Sequence, residues 1–104
     1  MTIDKNTSTL DVGGADSATY LGNPLRVYAG QKITFAVTGG TITSIAITCF
    51  NATYATALAG GTWTGGSASA SSADVTVTVS AGTTQVSVVL AAQTRLTAAN
   101  VTIA

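Results

Sequence analysis

Residues 74–80 read DVTVTVS, a strict alternation of valine with short polar residues. Only an extended strand with one buried face can use that pattern. Val75, Val77 and Val79 fall on one side, and Thr76, Thr78 and Ser80 on the other. A helix would scatter the same valines round its circumference, because its period is 3.6 residues and not 2. The pattern recurs along the chain. Lys32–Val37 places Ile33, Phe35 and Val37 on one face. Thr41–Phe50 gathers Ile45, Ile47 and Cys49, and Gln85–Leu90 gathers Val86, Val88 and Leu90. A last strand over Arg95–Ile103 ends on Val101 and Ile103. Ile42 is out of phase with Ile45, which predicts a bulge between Thr43 and Ser44.

Turn residues punctuate these runs. Leu25–Tyr28 reads as a short strand closed by Ala29-Gly30. Gly39-Gly40 reads as a hairpin turn joining the strand before it to the strand after it. Ala81-Gly82 turns the chain into Gln85–Leu90. Ala52–Ala59 fits either a helical turn or a short edge strand, and the Ser/Ala run Ser67–Ala73 reads as a loop. Residues 1–24 are polar and glycine-rich, with a turn expected at Gly22-Asn23-Pro24. They form an N-terminal arm or irregular edge, and residues 25–104 form the folded domain. The expected fold is all-β: a two-sheet β-sandwich of about seven or eight strands, jelly-roll or immunoglobulin-like.

What the chain lacks bounds its chemistry. In 104 residues there is no His, no Glu and one Cys, and the charged share is 8%, with four basic residues balancing four acidic ones. Activating a hydroxyl or thiol needs a base, and no Asp or Lys stands in a recognisable arrangement with Ser, Thr or Cys49, so no enzyme is expected. Neither is a cofactor or a metal. Asp11 and Asp16 flank a Gly-Gly turn and could offer oxygens to Ca²⁺, but their spacing matches no EF-hand and a solvated loop is expected. Lys5, Arg26, Lys32 and Arg95 stand alone in sequence, which excludes the clustered cations that nucleic acid requires. No apolar run approaches the ~20 residues of a membrane span, and the polar start MTIDKNTST has no leader character. Cys49 has no intramolecular disulfide partner and reads as a small buried hydrophobe. The three Asn-X-Ser/Thr matches at Asn6, Asn51 and Asn100 are those chance provides in a Thr-rich chain. Candidate contact residues are the aromatic ones. Trp63 lies between two glycine pairs, where it serves the core, a subunit interface or a sugar-stacking platform. Tyr20, Tyr28 and Tyr54 are available to join it.

Four segments carry a family resemblance: PLRVYAGQKITF, ITSIAITC, GTWTGG with its Ser/Ala run, and the closing QTRLTAANVTI. Their order resembles β-sandwich repeats of surface proteins from gut Bacteroidetes, where a strand of similar kind precedes a G-T-W-S/T-G turn. That resemblance covers about Leu25 to Ile103 and implies an accessory module, with no functional residues carried over. In size, neutrality and Thr/Ala/Gly richness the chain is also similar to capsid decoration (cement) proteins of tailed phages.

A neutral surface lacks the repulsion that keeps copies apart. The expectation is therefore a non-enzymatic structural protein, a repeated subunit in an ordered assembly. Its partners are copies of itself and a major capsid-type protein, and its place is the virion surface. An extracellular carbohydrate-binding or adhesive module, contacting surface glycans, is the alternative. A pilus or filament subunit is the third.

Overall fold

The alternating segments are strands, and they divide between two sheets. The computed structural model describes residues 2–4, 18–37 and 39–104, with side chains from Arg26 onward. In chain order the elements are β1 (Thr2–Asp4), β2 (Ala18–Val27), β3 (Lys32–Ala36), β4 (Ile42–Cys49), α1 (Ala52–Ala59), β5 (Thr62–Thr64), β6 (Gly66–Ser71), β7 (Asp74–Val79), β8 (Gln85–Val89) and β9 (Thr94–Ile103). One sheet runs β1-β3-β8-β5 and the other β2-β9-β4-β7-β6. All pairs are antiparallel. The protein is an all-β, two-sheet sandwich, with one short helix among the described residues.

The core is the set of inward faces that the alternation marks. Ile33, Phe35, Ile45, Ile47, Cys49, Val75, Val77, Val86, Val88, Leu90, Val101 and Ile103 are buried in one cluster, and Val79 packs half-buried against it. The β4–β9 register shifts between Ile42 and Ser44, at the expected bulge, so Ile42 is buried although out of phase. The short helix α1 packs against the five-stranded sheet. Asn51 caps this helix, its side chain accepting from the Tyr54 N–H at 3.1 Å. Ala55 and Leu58 complete the core.

The chain departs from the sequence reading at Gly39-Gly40, at the Ser/Ala run and at Gly22-Asn23-Pro24. Gly39-Gly40 is not a hairpin turn, because β3 and β4 lie in different sheets and β3 pairs with β8. Ala81-Gly82 likewise carries the chain from one sheet to the other. Among the described strands only β6 and β7 are consecutive neighbours in one sheet. The Ser/Ala run read as a loop is strand β6, with Ser67 to Ser71 paired to Thr78 to Asp74. At Gly22-Asn23-Pro24 the chain does not turn. It stays within β2, and the register against β9 breaks between Leu21 and Leu25. Proline cannot donate to a ladder and is accommodated at sheet edges and bulges, and β2 is an edge. Residues 5–17 of the arm, with Asp11, Asp16 and the Asn6 motif, lie outside the described residues.

The β5–β6 segment belongs to both sheets and bends between them at Gly65. This residue has φ +87°, and a Cβ there would meet the Gln85 carbonyl oxygen at 2.6 Å. Gly82 also has positive φ (+75°), but nothing lies within 4 Å of its would-be Cβ. The two substitutions therefore separate backbone strain from close packing. Gly82→Ala should cost about 1–2 kcal/mol from strain alone. Gly65→Ala should cost about 3 kcal/mol or more, because overpacking against fixed backbone adds to the strain. Urea denaturation measures both, and equal losses would mean that the corner is not tightly packed.

Candidate interaction surfaces

The structure sets Trp63 apart from the tyrosines that the sequence singled out with it. Trp63, on β5, is half-buried against the core, and its indole N–H donates to the Leu58 carbonyl at 3.2 Å. It makes no ring contact with Tyr28 or Tyr54. Its glycine neighbours serve backbone packing: a Cβ on Gly61 would meet Val88 Cγ2 at 2.6 Å and the Val89 carbonyl at 2.8 Å. Tyr54 is half-buried on α1, and Tyr28, just past β2, is 49% exposed. Tyr20 is a residue of β2 paired with Ala99, and its side chain lies outside the description.

A basic–aromatic patch emerges that sequence spacing did not reveal. Arg26 and Arg95, read as isolated cations, are direct cross-strand partners on β2 and β9. Val27, Thr94 and Leu96 point inward and are buried, so both arginines point outward from the five-stranded sheet. The Arg95 guanidinium carbon lies 4.9 Å from the centroid of the Tyr54 ring, a cation–π arrangement. Phe50 meets Tyr54 edge-on, with ring centroids 6.3 Å apart at 61°, yet remains 56% exposed. The Phe50 N–H donates to the Arg95 carbonyl at 2.9 Å, which fixes the two side by side. Beneath them the fully buried Thr94 hydroxyl donates to the Tyr54 carbonyl at 2.7 Å. Arg95 Nε is buried and has no hydrogen-bond partner.

The other surface is β6. It is an edge strand of six residues, GSASAS, with no charge, proline or register break. Ser71 and Asp74 close a two-residue loop, and the Ser80 N–H donates to the Gly65 carbonyl. These contacts set the phase of the ladder. Odd-numbered residues from Gly65 to Ser71 bond to β7, and Gly66, Ala68 and Ala70 turn their N–H and C=O groups to the open side. Ser67, Ser69 and Ser71 are exposed on the outer face, level with exposed Thr76 and Thr78 on β7 and Ser44 and Thr48 on β4.

Among the described residues no group of three or more His, Cys, Asp or Glu side chains comes together. None of the described helices is long and apolar enough to cross a membrane. No protein-family model, no curated protein and no solved structure matches the chain.

Two groups beneath the patch yield tests. Thr94→Val keeps the shape but leaves the Tyr54 carbonyl without its buried donor, and should cost about 1–3 kcal/mol. The loss should appear in urea denaturation, together with a weaker Arg95–Tyr54 contact seen as a shift of the Tyr54 ring resonances. Cys49 is buried, and burial pushes its thiol up; the nearby Asp74 charge adds to this and a hydrogen bond with Thr94 opposes it. The folded chain therefore holds this proton more tightly than the unfolded chain. Stability from this group is level at neutral pH and falls as pH rises through the ordinary thiol range near ~8.5. A Cys49→Ala variant should lack that part of the alkaline decline when midpoints at pH 7 and pH 9.5 are compared.

Proposed function

We propose that this protein is a non-enzymatic structural subunit that works as one copy among many in an ordered assembly, docking through its β6 edge. The observation that carries this reading is the open GSASAS strand. Folded proteins blunt their sheet edges with charges, prolines, bulges or short strands, because unpaired backbone groups recruit further strands. The other edges have such devices: β2 carries Arg26, Pro24 and a register break, and β1 and β5 are three residues each. β6 has none. Its small side chains let another strand approach closely, and backbone hydrogen bonds would supply the affinity.

The low charge supports the same reading, since a neutral Ser/Thr surface costs little to desolvate against another protein. Within this class a capsid decoration protein on a virion surface fits the size and composition best. A glycan platform built on Trp63 would require that ring on an open face. Trp63 instead spends its indole N–H on Leu58 and its ring on the core, which favours the structural reading.

Light scattering and electron microscopy of the purified protein give the first test. A defined oligomer, or binding to capsid-type shells, is expected. Ala70→Pro removes an outward N–H without breaking a β7 bond, and Ser69→Lys places a charge on the edge. Each should weaken association at least about tenfold, equivalent to ~1.4 kcal/mol, with the circular dichroism of the sandwich unchanged. Association unaltered in both variants would rule out docking through β6.

A further inference from the structure

We propose that Arg26, Arg95 and Phe50 form a binding site for a carboxylate carried on a protein segment next to an apolar side chain. The site lies on β2, β9 and the end of β4, at the opposite side of the sheet from β6, so it stands independently of the β6 edge.

Like charges placed directly opposite on neighbouring strands repel and are destabilising. Here two arginines occupy such a position, and among the described side chains no acid offsets them. Asp74, the one acidic side chain described, is on β7, with β4 lying between β7 and β9, and it accepts from Thr48 Oγ1 at 3.5 Å. An arginine pair in register is a geometry that a bound oxyanion relieves, each guanidinium donating to it through a planar fork. Arg95 is held for this task. Its guanidinium is stacked on Tyr54 and its Nε is already buried, so the terminal nitrogens are what it offers outward. Fixing the donor beforehand reduces the entropy lost on binding.

The surroundings select the kind of carboxylate. Several polar groups near the pair are engaged within the fold: Asn51 Oδ1 with the Tyr54 N–H, Thr94 with the Tyr54 carbonyl, and Thr97 with the Thr48 carbonyl at 3.1 Å. A hydroxyl-rich sugar acid would find few free partners among them. What stands open beside the arginines is apolar, namely Phe50 at 56% exposure and Tyr28 at 49%. A cation pair with an aromatic shoulder matches an acidic side chain flanked by apolar ones on a docked polypeptide.

The test is an NMR titration of the whole ¹⁵N-labelled protein with the capped peptide Ac-Leu-Asp-Leu-NH₂. Its uncharged counterpart Ac-Leu-Asn-Leu-NH₂, glucuronate and inorganic phosphate serve as comparisons. The Asp peptide should shift the Arg95 Nε–H and the Phe50 and Arg26 amides, and should bind about tenfold more tightly than the Asn peptide. Arg26→Ala and Arg95→Lys should each lose about tenfold in affinity, whereas Ser69→Lys on β6 should lose none. Arg26→Ala should melt no lower than the parent, because it relieves repulsion, and its loss of binding is then not a loss of fold. Equal binding of the Asp and Asn peptides, or arginine variants that bind as the parent does, would overturn the site. Tighter binding of glucuronate or phosphate than of the Asp peptide would overturn its assignment to a protein carboxylate.

Discussion

The hydrogen bond from the Thr94 hydroxyl to the Tyr54 carbonyl ties the helix to the sheet. It joins the first residue of β9, which is fully buried, to the first turn of α1. An eight-residue helix has too few internal bonds to persist alone, so its place must come from contacts of this kind. Once α1 is held, Ala55 and Leu58 fill the end of the core, and the Leu58 carbonyl is positioned for the Trp63 indole. The same anchorage sets Tyr54 under Arg95. Core closure, the seat of Trp63 and the exposed patch therefore share one constraint.

That constraint is long-range, as is most of the fold. With β6–β7 the only consecutive pair among the described strands, nearly every ladder joins segments distant in sequence. Loops must be closed before such pairings return any energy, so slow folding is expected for this topology. β9 is the organising strand. It runs ten residues between β2 and β4, and it carries Thr94, Arg95 and the inward Leu96, Ala99, Val101 and Ile103.

Strands with strong contrast between their faces were legible from sequence alone. Val75 against Thr76, or Phe35 against Thr34, leaves no doubt about period or direction, and the bulge after Ile42 followed from the break in phase. β6 was missed because serine and alanine differ little in hydropathy, so its alternation resembles low complexity. Gly39-Gly40 is a turn but not a hairpin, whereas Ala81-Gly82 leads into β8 as expected. Turn chemistry reports a reversal of the chain, not which sheet receives the next strand. At Gly22-Asn23-Pro24 the same residues that favour a turn also suit an edge bulge, and pairing with β9 decided between them. The arginine patch could not be read at all, since Arg26 and Arg95 meet only through the β2–β9 register. Tyr28 and Tyr54 were named as contact residues, but nothing local to either points to the cations beside them.

The two edges of the five-stranded sheet are chemically unlike, and this bears on how copies could assemble. A contact from β6 of one copy to β2 of the next would be head-to-tail, and repetition would build a ring or an open filament. Such a contact has to run along β2, where Pro24 supplies no N–H and the register is broken between Leu21 and Leu25. A β6-to-β6 contact meets no such obstacle. Antiparallel pairing of GSASAS with itself is self-complementary, and around a two-fold axis it closes after two copies. Docking of β6 on a strand of a different protein is equally free of obstruction. The edge chemistry therefore favours closed pairs, or a subunit seated on another lattice, over a self-propagating fibre.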